Sequence, residues 1–134
     1  MPVARDERHR RRRAGSRLVY ADSIAPVLSK AVLWENSFRI DDNLVLEAGP
    51  GRTPGSSPVR LSSGSDRAVF VGDLVHSPVQ FLEDPVTASA TRRRVLERAA
   101  DTAELIIPAH FAGPGAAEIR REGDKFTVSR WAQS

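Results

Sequence analysis

Two unbroken apolar runs, Ala68-Val69-Phe70-Val71 and Leu105-Ile106-Ile107, each stop at residues that can do chemistry. A run without polar alternation predicts a strand covered on both faces. The first gives way to Gly72-Asp73, the second to Pro108-Ala109-His110-Phe111. A third polar segment, Gly51-Arg52-Thr53-Pro54-Gly55, sits in a stretch from Gly49 to Pro58 whose glycines and prolines dictate a loop. Polar residues at strand ends are where a sheet presents side chains to a cleft. A carboxylate at one such end and an imidazole at another are two ligands for one hard or borderline cation. Taken singly, each has a plainer reading: Asp73 as a turn former or cap, His110 as a structural histidine.

The surrounding segments predict an α/β layer. Ile24, Val27, Leu28 and Ala31 recur at helical spacing, with Asp22 and Ser23 as caps and Pro26 near the start, so a short helix is expected at about 23–33. Phe38-Arg39-Ile40, Asp41-Asp42-Asn43 and Leu44-Val45-Leu46 read as strand, turn, strand, and Val59–Ser63 and Arg67–Val71 flank a Gly64-Ser65-Asp66 turn. Residues 74–84 read as irregular. Val86–Ala103 sets Val95, Leu96, Ala99 and Ala103 among charges, the pattern of an amphipathic helix. The segment from Ala117 to Arg130 folds back at Glu122-Gly123-Asp124 as a hairpin. Strands, helix, strand and hairpin in that order predict one mixed sheet with helices on one face.

Cysteine is absent, so any metal is held by carboxylates and by the three histidines, His9, His76 and His110. The same absence fits a reducing cytoplasm, and no run of about 18 apolar residues offers a membrane span. The net charge of +3 is unevenly spread: residues 1–17 hold seven arginines against Asp6 and Glu7, so the remainder is mildly acidic. Six basic residues in succession, Arg8–Arg13, repel one another, and residues 1–18 are expected to form a solvated, disordered arm. No aromatic residue interleaves these arginines, which favours a solvated tail over a nucleic-acid surface.

In combination the polar segments carry more than they do singly. Gly51–Gly55, Gly72-Asp73 and His110 occur in the order of a G-H-T-P-G loop, a strand ending in G-D and a strand ending in His. That series resembles the second half of metallo-β-lactamase-fold hydrolases. The branch containing methyl parathion hydrolase and related lactonases and esterases is the most similar. Its further marks are Asp22-Ser23-Ile24-Ala25-Pro26-Val27, Gly72–His76, Gln80-Phe81, Asp84-Pro85, Thr91-Arg92, His110-Phe111 and Pro114-Gly115. The resemblance covers roughly residues 20–130.

It implies that residues 19–134 form the C-terminal half of an αββα sandwich. It also implies that Asp73 is the carboxylate bridging two metals and His110 the last histidine ligand. Thr53, Pro54 and Gly55, with His76, would shape the substrate rim. Two departures follow. Arg52 stands where the family places a metal-binding histidine, and a guanidinium has no lone pair to offer a cation. The family's H-x-H-x-D-H motif does not occur in this sequence. His76 is read as following the aspartate without completing the ligand set, which leaves Asp73 and His110 as remnant ligands.

The expectation is therefore a truncated metal-dependent hydrolase of lactones, esters or phosphotriesters. No catalysis is expected in isolation, and zinc or another divalent metal is expected to bind weakly at best. The alternative is a half-domain whose exposed apolar sheet face forms a homodimer or pairs with a complementary N-terminal half. Nucleic-acid binding through the arginine run ranks third.

Overall fold

The computed structural model describes residues 17–50, 53, 55–76 and 86–133. The chain forms two units, Met1–Leu33 and Trp34–Ser134. Of the predicted arm, only Arg17 and Leu18 are described.

In the first unit the helix expected at 23–33 is instead a π-helical stretch, Tyr20–Ile24, followed by a 3₁₀ stretch, Ala25–Lys30. Pro26 sits in its first turn, where a missing N–H costs nothing. Ala31 is already extended. Neither stretch buries a residue. A helix takes most of its stability from a packed face, and without one the regular α-helical ladder is not enforced.

The second unit is a seven-stranded sheet in sequence order. Its strands are β1 (Ser37–Arg39), β2 (Leu44–Glu47), β3 (Val59–Ser63), β4 (Asp66–Gly72), β5 (Leu105–Pro108), β6 (Ala117–Glu122) and β7 (Lys125–Trp131). Neighbours are antiparallel except β4 and β5, which are parallel. Parallel neighbours need a long crossover, and α1 (Val86–Thr102) lies within it.

Local chemistry sets the turns. The Asp41 carboxylate accepts the backbone N–H groups of Asn43 and Leu44, both at 2.8 Å, and closes the β1–β2 hairpin. Helix α1 ends in a Schellman arrangement: Ala103 adopts φ 54° and the Glu104 N–H donates to the Ala99 carbonyl at 3.0 Å. That reversal turns Glu104 inward.

The core lies between α1 and one face of the sheet. Val95, Leu96 and Ala99 of the helix meet Val69, Val71, Ile106, Ile119 and Phe126 of the strands, joined by Val75. Helix α1 covers one face, as the pattern predicts. On the other face coverage of Ala68–Val71 is only partial among the described residues, since Ala68 is buried there but Phe70 is not. Val69 and Val71 are buried against α1, whereas Phe70 on the opposite face is 41% exposed. Its cross-strand partners Val59 and Ile107 are only half-buried. Period-two geometry sends alternate side chains of an all-apolar strand to both faces, and α1 packs on one of them.

Charges are also buried on the helix side. Arg60, paired across the sheet with Val45 and Val69, donates from Nε to Glu47 at 2.9 Å and from Nη1 to Glu104. Arg98 of α1 reaches Glu47 Oε1 at 2.9 Å. Among the described residues, every buried side-chain nitrogen and oxygen has a hydrogen-bond partner.

Partial burial by itself would raise the Glu47 carboxyl, but the hydrogen bond and charge of Arg60, then those of Arg98, outweigh it and hold the group below its ordinary value of 4.5. A depressed carboxyl stabilises the fold fully above its unfolded value, and that contribution is lost as pH falls through the lower, folded value. Below about pH 4.5 the midpoint of thermal unfolding should fall. The gap between the parent and Glu47→Gln, wide at pH 7, should narrow through that acid range. A gap that is constant with pH would contradict this account of Glu47.

Candidate metal site at the ends of the parallel strands

Parallel neighbours finish at the same edge of a sheet, and for this reason Asp73 and His110 meet. The register runs Ala68↔Leu105, Val69↔Ile106, Phe70↔Ile107, then slips at a bulge to Gly72↔Pro108. Gly72 takes φ 52°, a left-handed conformation that a side chain would strain. Its carbonyl accepts the Ala109 N–H at 3.2 Å, tying the two strand ends together. Across this tie His110 Nε2 and Asp73 Oδ1 lie 2.9 Å apart. Both side chains are about half exposed, Asp73 at 47% and His110 at 57%.

The turn after Asp73 is pinned from below. The Leu74 N–H donates to the Val71 carbonyl at 3.0 Å, Val75 is fully buried, and Arg92 Nε of α1 donates to the Leu74 carbonyl at 2.9 Å. These anchors bring up His76. Its ring stacks on that of His110 with centroids 5.2 Å apart and planes 9° apart. Ligand atoms of Asp73, His76 and His110 all lie within 4.8 Å of one another. Next to His110, Phe111 packs against the core and meets Trp131 edge-on at 6.0 Å.

Beside the aspartate is a cavity of about 410 Å³, lined by Gly49, Thr53, Ser56, Ser57 and Pro58 and by Val71–Leu74. Thr53 lines it together with Asp73 and pairs with the Ser56 hydroxyl at 2.9 Å. Gly55 is described and exposed, whereas Gly51, Arg52 and Pro54, like Gln80-Phe81 and Asp84-Pro85, lie outside the described residues. Thr91 and Arg92 prove to be tethers: Thr91 Oγ1 donates to the Pro50 carbonyl at 2.6 Å, so α1 holds both loops that border the site.

Gly49 closes the base of this loop, donating to the Ser56 carbonyl at 2.9 Å. A Cβ there would stand 2.5 Å from Pro58 Cδ, an atom of a rigid ring. Gly49→Ala should cost about 1–3 kcal/mol through overpacking. Urea unfolding checks this, and an undiminished stability would contradict the close approach.

Sequence reasoning put His76 at the rim, after the aspartate and outside the ligand set; the structure sets its ring against that of His110.

A family model of the metallo-beta-lactamase superfamily matches residues 3–110. The chain belongs to the metallo-β-lactamase superfamily. Solved structures agree on the fold. AidC, a dizinc quorum-quenching lactonase in complex with a product, superposes with TM-score 0.69 at 23% identity, over 81% of this chain and 40% of its own. The hydrolase AbOPH of the beta lactamase superfamily gives 0.65 at 24% identity, over 84% and 43%. A probable metal-dependent hydrolase from Staphylococcus aureus gives 0.63 at 16%, over 80% and 42%. This member of the superfamily therefore spans about two fifths of the length of these structures. Its single mixed sheet with a helix on one face is consistent with half of that fold. No curated protein matches the sequence. Among the described residues no helix is long and apolar enough to cross a membrane.

Proposed function

We propose that this chain is the C-terminal half of a metal-dependent hydrolase of the methyl parathion hydrolase and lactonase branch, and that alone it turns over no substrate. The observation carrying the reading is the 2.9 Å approach of Asp73 to His110 at the ends of two parallel strands. A carboxylate and an imidazole are donors that zinc and similar divalent ions accept, so the residues fit such an ion. When bound, the metal supplies Lewis-acid polarisation and lowers the pKa of water. Asp73 and His110 would hold it. Thr53, Pro54, Gly55 and the neighbouring cavity would seat the substrate, a lactone, ester or phosphotriester in keeping with the lactonase and hydrolases of like fold.

Of the remaining family ligands, those in H-x-H-x-D-H are not among these 134 residues, and Arg52 stands at the position of another. A homodimer would only duplicate Asp73 and His110. A complementary half bearing the motif, continuous with this chain or separate, would supply new ligands and cover the open face around Phe70.

The test is an assay of the chain with zinc against an aryl ester, a lactone and a phosphotriester, alone and after co-expression with an H-x-H-x-D-H-bearing half of a relative. Background rates alone and turnover in the complex are expected. Turnover by the chain alone would contradict the first part. A metal-loaded complex without turnover would contradict the hydrolase reading.

A further inference from the structure

We infer that His76 is a third metal ligand, and that Asp73, His76 and His110 together form a mononuclear site for a divalent cation of the zinc class within this chain. The inference rests on the reading of Asp73 and His110 given above and adds to it a residue outside the ligand pattern that the sequence resemblance implied.

Three observations carry it. The donor atoms of the three side chains already lie within 4.8 Å of one another. Ligands at the usual zinc distances of about 2.0–2.2 Å sit roughly 3.3–3.5 Å apart around a tetrahedral ion. The Asp73–His110 pair, at 2.9 Å, must open slightly, and the widest pair must close by up to about 1.5 Å. Asp73 and His110, both about half exposed, make such adjustments by rotation.

The backbone beneath them, in contrast, is fixed. Val75 anchors the turn on one side and the Gly72–Ala109 hydrogen bond ties it on the other. Little ordering is then left for the ion to impose. Finally, the set has the right chemistry. Two imidazoles and one carboxylate are a borderline donor set, and three protein ligands leave one position open.

The expectation of weak binding counted two ligands and the charge of Arg52. A third ligand changes that count without calling on the H-x-H-x-D-H motif. Turnover does not follow, since the ion would sit on a half-open rim without the covering half that excludes water.

Zinc titration of the 134-residue chain, by calorimetry and by competition with a chromogenic chelator, tests this, with long-range nitrogen–proton spectra of the imidazoles as a second readout. One zinc per chain is expected. Asp73→Ala, His76→Ala and His110→Ala should each weaken binding on the order of 100-fold, and zinc should shift the ring nitrogens of both His76 and His110. Far-ultraviolet circular dichroism verifies that the variants fold. Parental affinity in His76→Ala, with loss in the other two, would overturn the role of His76 and leave the hydrolase half-site intact. So would an absence of zinc in the parent together with uptake in the co-expressed complex. Binding insensitive to both Asp73 and His110 would overturn the inference and the reading beneath it.

Discussion

Glu104→Ala should destabilise the chain by about 3–5 kcal/mol, a large share of the 5–15 kcal/mol that holds a domain of this size together. The effect comes from what is left behind. Arg60 and Glu104 have side chains only 6% and 4% exposed, and Arg60 sits on the helix-covered face between Glu47 and Glu104. Removing one carboxylate strands part of a guanidinium in a place water cannot reach, and the desolvation already incurred loses its compensation. Replacing both partners by apolar residues, Arg60→Met with Glu104→Leu, should cost far less, because no part of a buried guanidinium is then left unsatisfied. Glu47 would keep Arg98 at 2.9 Å in that variant. Urea unfolding of the single and double variants measures the difference. A single variant within 1 kcal/mol of the parent, on this same scale, would contradict the burial of the pair.

Adjacent residues on β5 give the second large contrast. Ile106 is fully buried, pairs with Val69 on one side and Ala117 on the other, and packs in the cluster with α1. Ile106→Ala should cost about 3–4 kcal/mol in lost transfer energy and residual cavity. Ile107 points to the face where Phe70 is open, and it is only half-buried. Ile107→Ala should cost about 1 kcal/mol, because the site gives up less area and water fills what remains. Equal losses would mean that both faces of the sheet are covered in this chain, contrary to the layering described.

Much of the fold was legible because hairpins announce themselves locally. Asp41-Asp42-Asn43 and Gly64-Ser65-Asp66 are turn residues between apolar segments, and the strands formed where the pattern put them. The face assignment was harder. In Val59-Arg60-Leu61 the usual reading sends Arg60 to water, yet Arg60 lies inside and its apolar neighbours lie on the half-open side. Its partners, Glu47 and Glu104, are 13 and 44 residues away, a distance over which no local period reports. The all-apolar strand 68–71 likewise carries no mark of which face will find a helix.

The site divides in the same way. Asp73 and His110 were legible as strand ends, and their meeting follows once the two strands are parallel neighbours. The contribution of His76 depends on the turn anchored by Val75, and the roles of Thr91 and Arg92 depend on where α1 crosses the loops. Both are tertiary facts without a sequence period.

The central claim is that Asp73 and His110 converge on one cation. Anomalous diffraction at the zinc edge, from crystals of the chain grown with zinc, tests it most directly. The account predicts a peak at bonding distance, about 2.0–2.2 Å, from an Asp73 carboxylate oxygen and a His110 ring nitrogen together. A zinc peak elsewhere, with those two side chains still hydrogen-bonded to each other, would contradict it.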